Sequence, residues 1–296
     1  MDIKSYLSEK RRIIEGALQT CILTPTTELT THIESLNYSL KAGGKRVRPI
    51  LCLAAVEALG KDIMPFLPVC CALECIHTYS LIHDDLPAMD NDELRRGKPT
   101  NHMIYGEAGA ILAGDGLLSF AFELLSKPEL SEVVSDNARL RIIHTISQAV
   151  GSLGMVGGQA LDIDSEEKVV SFSTLQMIHR CKTGALITAS VQTGAVLAGA
   201  NSDEYKSLTE YGDKVGLAFQ IVDDLLNVVG TTELLGKTAG SDAARNKATY
   251  PAFFGVEKTR LMAQETVEAA KNALREFDQK ADPLRSLADY IYSRTH

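Results

Sequence analysis

Three stretches of the chain, 51–59, 110–125 and 185–198, are apolar almost all the way round a helix. A helix of that kind needs neighbours on most sides, so it belongs inside a large bundle rather than on a surface. The periodicity is helical almost throughout. Pro is rare, at 9 residues, and no stretch alternates apolar and polar residues around an Asn-Gly-type hairpin turn. The stretch 258–274 is amphipathic and charged, as an outer helix should be. Breaks are expected near Pro25, Gly43-Gly44, Gly60 to Pro68, Gly97 to Pro99, Pro128, Gly151 to Gly158 and Gly236 to Gly240. None is a Ser/Pro-rich linker. The expected fold class is therefore all-α, one domain over 1–296 with ten or more helices.

Composition narrows the classes of function. A chain of 296 residues buries enough apolar surface to fold without a disulfide or metal staple. Lys+Arg 30 against Asp+Glu 38 gives a net charge of −8, which argues against a sequence-independent grip on nucleic acid. No window reaches about 18 uninterrupted apolar residues, so no membrane span is expected. The basic pair Arg11-Arg12 follows a mixed stretch rather than leading an apolar one, unlike a secretory signal, so the expected location is cytoplasmic. Six cysteines with no Cys-x-x-Cys spacing are expected to be reduced and buried.

Two adjacent aspartate pairs sit behind apolar runs: Tyr79-Ser-Leu-Ile-His-Asp-Asp-Leu-Pro-Ala-Met-Asp90 and Phe219-Gln-Ile-Val-Asp-Asp-Leu-Leu-Asn227. With 18 aspartates in the chain, an adjacent pair by itself proves nothing. The setting is what counts, because Asp is a poor interior helix residue. Like charges about 4 Å apart cost about 1 kcal/mol in water and several at a partly buried site, so a cation should offset them. Asp223 and Asn227 lie one turn apart on a shared face. Pro87 breaks the first helix and lets Asp90 return toward Asp84. Oxygen-only ligands, with no His or Cys at ligand spacing, suit Mg²⁺, which is usually held by one or two carboxylates plus substrate phosphates.

The phosphate-binding half is also present. Arg95 and Arg96 follow the first acidic run directly, and Gly43-Gly-Lys-Arg-Val-Arg-Pro49 puts Lys45, Arg46 and Arg48 on a turn before a helix that Pro49 can open. His179-Arg-Cys-Lys-Thr-Gly184 and Leu235-Gly-Lys-Thr-Ala-Gly240 add Lys182, Thr183 and Lys237. An acidic chain that gathers cations beside its acids is building a metal–diphosphate site.

Taken together with Leu-Arg-Arg-Gly-Lys-Pro-Thr, Gly157-Gly-Gln-Ala-Leu-Asp162 and Lys247-Ala-Thr-Tyr-Pro251, these segments run in order from Gly43 nearly to the C-terminus. They resemble the short-chain trans-prenyltransferases of the polyprenyl synthetase family, the bacterial farnesyl diphosphate synthases in particular. The resemblance implies an isoprenoid-synthase helical bundle around a deep central cavity, a homodimer, and Mg²⁺-dependent condensation of isopentenyl diphosphate with dimethylallyl or geranyl diphosphate. It implies that Asp84, Asp85, Asp90 and Asp223 bind Mg²⁺. It puts Arg95, Lys182, Lys237 and Lys247 on the allylic diphosphate, and Thr183 and Gln220 against the developing cation. Lys45, Arg48, His77 and Arg96 would hold isopentenyl diphosphate. Residues 231–250 are expected to form a lid. Asn227 stands where the family usually has Asp, so a weaker metal site is expected there.

Product length is not set by the acidic motifs. Tyr79 and Ser80 lie just upstream of Asp84. An aromatic at the position of Tyr79, with the Leu-Pro-Ala-Met spacing, looks like the family's fifteen-carbon stop; a geranylgeranyl product is the alternative. Other classes fit less well. A di-iron bundle needs a second copy of Glu74-Cys-Ile-His77, and none is present. A terpene cyclase would carry a different second metal motif. A non-catalytic subunit of a heteromeric synthase should have lost an acidic cluster, and both are here.

Overall fold

The computed structural model describes residues 1–166, 168–229 and 248–293. Thirteen α-helices account for most of them: α1 (Ile3–Cys21), α2 (Thr30–Leu40), α3 (Val47–Ala58), α4 (Leu67–Asp84), α5 (Asn101–Ser126), α6 (Asp136–Val150), α7 (Met155–Asp164), α8 (Phe172–Ile178), α9 (Ala185–Leu197), α10 (Ser202–Val229), α11 (Tyr250–Phe254), α12 (Val256–Ala273) and α13 (Asp282–Ser293). A π-helical turn, His179–Gly184, joins α8 to α9. One short antiparallel hairpin, β1 (Leu94–Arg95) with β2 (Lys98–Pro99), departs from the purely helical expectation. The chain separates into two compact units, one of Leu7–Ile50 and Ile63–Arg139, the other of Met1–Tyr6, Leu51–Asp62 and the chain from Leu140 onward.

In the first unit α4 is the central rod. Pro68 opens it, and Val69 to Ile76 is buried on every side, as its unbroken apolar run requires. Pro87, three residues beyond Asp84, stops it. The His83 ring is seated on α5 at Gly114, where a Cβ would lie 2.1 Å from its Nε2, and that nitrogen is 3.0 Å from the Ile111 carbonyl. Asn101 Nδ2 donates to the Ser35 carbonyl at 2.8 Å and to Ser39 Oγ at 2.9 Å, tying the start of α5 to α2.

In the second unit α10 packs on α9, α12 and α13, and the fully buried Tyr211 donates its hydroxyl to the Leu284 carbonyl at 2.6 Å. The amphipathic stretch expected near 258–274 is α12, which buries Thr259, Ala263, Val267 and Ala270, one per turn. The break expected over Gly151 to Gly158 falls at 151–154, shorter than expected. Gly157 and Gly158 lie inside α7, and their role is close approach: a Cβ on Gly158 would stand 2.2 Å from the Lys182 backbone nitrogen.

Averaged hydropathy makes Met64–Asp84 and Asn101–Glu132 long and apolar enough to cross a membrane. Two-thirds of the first window is buried inside the protein, the mark of a core helix. All six cysteines are free, with Cys21 and Cys181 only partly buried.

Candidate active site

The first acidic run ends α4 as a compact turn. Beyond Asp84 the chain folds back, and the Asp90 N–H donates to the Asp84 carbonyl at 2.8 Å. Asp84 and Asp90 are half-exposed on this turn, whereas Asp85 is only 3 % exposed. Burial raises the Asp85 carboxyl above its ordinary value, and Arg95 works against that rise. Arg95 Nε donates to both Asp85 oxygens, at 2.7 and 2.8 Å, and its Nη2 makes a further contact to Oδ1. Burial lowers Arg95, but Asp85, Asp84 and Asp92 outweigh it and hold the guanidinium firmly charged.

The hairpin explains why neighbouring arginines serve different partners. Arg96 and Gly97 form its two-residue turn, with φ of 56° and 74°. That left-handed pair is the geometry a tight hairpin requires. Arg95 therefore points from the strand at Asp85, while the Arg96 guanidinium lies over the Gly43-Gly44 turn. A Cβ on Gly44 would sit 2.5 Å from Arg96 Cζ, so Gly44 is the residue that leaves room.

Arg48, His77 and Arg96 gather at this turn. Burial first, then Arg48, Arg96 and Arg95, push His77 well below its ordinary value. Burial, opposed by Glu74 and assisted by Arg96, lowers Arg48 to about 10. Among the described residues the buried Arg48 Nε and His77 Nδ1 have no hydrogen-bond partner. Cations that depress one another favour a further anion besides Glu74. Lys45 is exposed on the same turn.

In the second unit Lys182, Gln220 and Asp223 line one cavity of about 180 Å³ together with Asp162, His179 and Asp224. Lys182 sits on the π turn and donates to Asp162 Oδ2 at 2.7 Å. Single π turns inside helices recur at functional sites because they shift the register of the next side chains. Thr183 follows on the same turn, half-exposed. Asp224 accepts from the Tyr250 N–H at 2.8 Å, and the His179 ring nitrogen lies 3.7 Å from its other oxygen. Asn227 is buried. Sequence reasoning missed Asp162, although its motif was recognised, and Asp92, which lies 3.6 Å from Arg95. Lys237, Lys247 and residues 231–247 of the expected lid lie outside the described residues.

Burial, opposed by Asp162 and assisted by Lys182, lowers His179 to about 4, and its ring stacks on Tyr250 with centroids 5.6 Å apart. The folded protein thus holds it neutral, while the unfolded chain protonates it near pH 6.5. The stability this contributes is complete above pH 6.5 and is lost as pH falls toward 4. His179→Gln should remove on the order of 2 kcal/mol of the acid sensitivity between pH 6.5 and 4.5. Denaturant melts at the two pH values check this; identical pH slopes in variant and native protein would contradict it.

Among the described residues no three His, Cys, Asp or Glu side chains converge as a ready-made metal cage. The half-exposed Asp84 and Asp90, brought together on the turn, are of the chemistry Mg²⁺ takes from a protein, which is one or two carboxylates.

Comparisons with known proteins identify the family. The model of the family described as polyprenyl synthetase matches residues 30–290. A geranylgeranyl diphosphate synthase from Cyanophora paradoxa is 48 % identical over 296 residues, covering all of this chain and 97 % of its own. A farnesyl diphosphate synthase from Geobacillus stearothermophilus is 46 % identical over 298 residues, covering all of this chain and 99 % of its own. The crystal structure of an FPP/GFPP synthase from Zymomonas mobilis superposes with a TM-score of 0.87 at 38 % identity, over 98 % of this chain and 99 % of that one. Helices that carry acids and cations in this order and this setting are those of an isoprenoid synthase: the chain belongs to the polyprenyl synthetase family and is a prenyltransferase.

Proposed function

We propose that the protein is a farnesyl diphosphate synthase, condensing isopentenyl diphosphate head-to-tail with dimethylallyl or geranyl diphosphate and releasing diphosphate. The observation that carries the fifteen-carbon product is Tyr79. It is 5 % exposed on α4, five residues before Asp84, with its ring edge-on to His83 at 5.8 Å. Burial and the nearby Asp84 charge push its hydroxyl up to about 12, so it stays a neutral wall at every working pH. Ser80 turns its hydroxyl back to the His77 carbonyl at 2.9 Å and adds little bulk.

Asp84, Asp85, Asp90 and Asp223 are the residues that would hold Mg²⁺, which supplies charge neutralisation of the leaving diphosphate. Arg95, Lys182, Lys237 and Lys247 hold the same diphosphate and oppose the charge that grows as the allylic C–O bond ionises. Thr183 and Gln220 present oxygen to the allylic cation. Lys45, Arg48, His77 and Arg96 bind the diphosphate of isopentenyl diphosphate and aim its double bond. Buried apolar helices keep water from the cation. The proton lost after C–C bond formation goes to the released diphosphate, so no protein base is required. In this reading 1–296 is one catalytic domain, cytoplasmic, acting as a homodimer; exposed Ile104, Ile111 and Leu112 on α5 support the last point.

Tyr79→Ala should open the floor and shift the product from fifteen to twenty carbons or more. Chromatography of dephosphorylated products checks it. An unchanged product from the variant removes Tyr79 from the account. A twenty-carbon product from the native protein favours the geranylgeranyl alternative, to which the Cyanophora relative lends its name.

A further inference from the structure

Arg46 lies among the isopentenyl-side cations, yet it is turned inward. Its side chain is 2 % exposed, and its Nη1 donates to Glu74 Oε1 at 2.6 Å, with Glu74 1 % exposed. Its Nη2 donates to the carbonyl of Leu40, the last residue of α2, at 2.8 Å. Its carbonyl accepts from the Ile50 N–H at 3.1 Å, the first hydrogen bond of α3. Its backbone is left-handed, with φ 51°, a conformation that a long side chain adopts only when its surroundings enforce it. The residue before it is Lys45, the second residue after it is Arg48, and Gly44 lies beneath Arg96.

We propose that Glu74 is a positioning residue for the isopentenyl diphosphate pocket: through Arg46 it locks the left-handed turn that sets where Lys45 and Arg48 stand. This rests on the isopentenyl assignment above. Glu74 could act in two ways with opposite signs. As a bare negative charge it would repel a diphosphate, and its loss would tighten binding. As the anchor of Arg46 it holds the turn, and its loss would weaken binding. The second effect wins, because the carboxylate is ion-paired to Arg46 at 2.6 Å and what reaches Arg48 and Arg96 of its field supports their charge. Without Glu74, moreover, a buried guanidinium is left uncompensated and must leave, taking the turn with it.

The test separates position from stability. Replacing both partners of a buried ion pair with apolar residues is often neutral for folding. The double variant Glu74→Leu/Arg46→Met should therefore melt close to the native protein. Its KM for isopentenyl diphosphate should rise about tenfold or more, as expected for lost charge-assisted hydrogen bonds, and its KM for geranyl diphosphate should change less than twofold. Glu74→Gln, whose amide oxygen still accepts from Arg46, should shift the isopentenyl KM in the same direction by about threefold. Calorimetric binding of an unreactive thiolodiphosphate analogue of isopentenyl diphosphate should show the same split without turnover. A folded double variant with both KM values within twofold of native, or with both raised together, overturns the proposal, as does tighter isopentenyl binding in Glu74→Gln. A native protein that condenses neither substrate would instead overturn the functional reading on which it rests.

Discussion

Asp84→Ala keeps its fold and loses three or more orders of magnitude in turnover. The stability half follows from where Asp84 sits: it ends α4, at the negative pole of the helix, next to a second carboxylate. Removing one of two like charges there relieves repulsion and an unfavourable dipole contact but also takes a carboxylate away from Arg95, so the melting temperature should stay close to native. The rate half follows from the chemistry. Ionising an allylic diphosphate requires its departing charge to be neutralised by cations that the acids gather, and such electrostatic stabilisation is typically worth about 10²–10³ for a single donor and more for a metal. A purified Asp84→Ala protein with native circular dichroism and near-native turnover would remove the metal-assisted reading.

The second large effect belongs to Arg95. Its fork closes on both oxygens of Asp85, and it is what opposes the rise that burial imposes on that carboxyl. Arg95→Met therefore does two things. It removes a cation from the diphosphate, costing about 10²–10³ in turnover. It also lets the Asp85 pKa climb, so the charged form exists only at higher pH, and the acidic limb of the rate profile should move upward. Arg95→Lys restores charge but not the bidentate geometry, and should recover only part of the rate. A pH–rate profile of the three proteins decides it: an unshifted acidic limb in Arg95→Met, or a rate within tenfold of native, contradicts this role.

How much of this was legible in the sequence differs from residue to residue. The buried rods α3 and α9 follow from apolar periodicity, whereas α5, expected to be buried all round, keeps Ile111 and Leu112 exposed on one side; the return of Asp90 to Asp84 follows from Pro87. The grouping of Lys182, Gln220 and Asp223 follows from motif content, but the device that arranges it does not. A π turn adds one residue to a helical turn and has no compositional signature, so the pairing of Lys182 with Asp162, twenty residues away, was not predictable. The hairpin escaped because its turn is Arg96-Gly97, where an arginine takes the left-handed place usually marked by Asn or Gly. Arg46 escaped for the same reason. In each case tertiary contacts hold a backbone geometry that local propensity disfavours, and each lies at residues proposed above to handle diphosphate. Gly158 errs the other way: it falls at the end of the run expected to break, yet it lies where α7 approaches the π turn closely.

Metal-dependent head-to-tail condensation to a fifteen-carbon product can be measured directly. The native protein should be incubated with labelled isopentenyl diphosphate and geranyl diphosphate, with Mg²⁺ or with a chelator, and the dephosphorylated products separated by chain length. The account predicts a labelled fifteen-carbon alcohol that forms with Mg²⁺ and vanishes with the chelator. No labelled prenyl product with both substrates and Mg²⁺ present, or equal product after chelation, would contradict it.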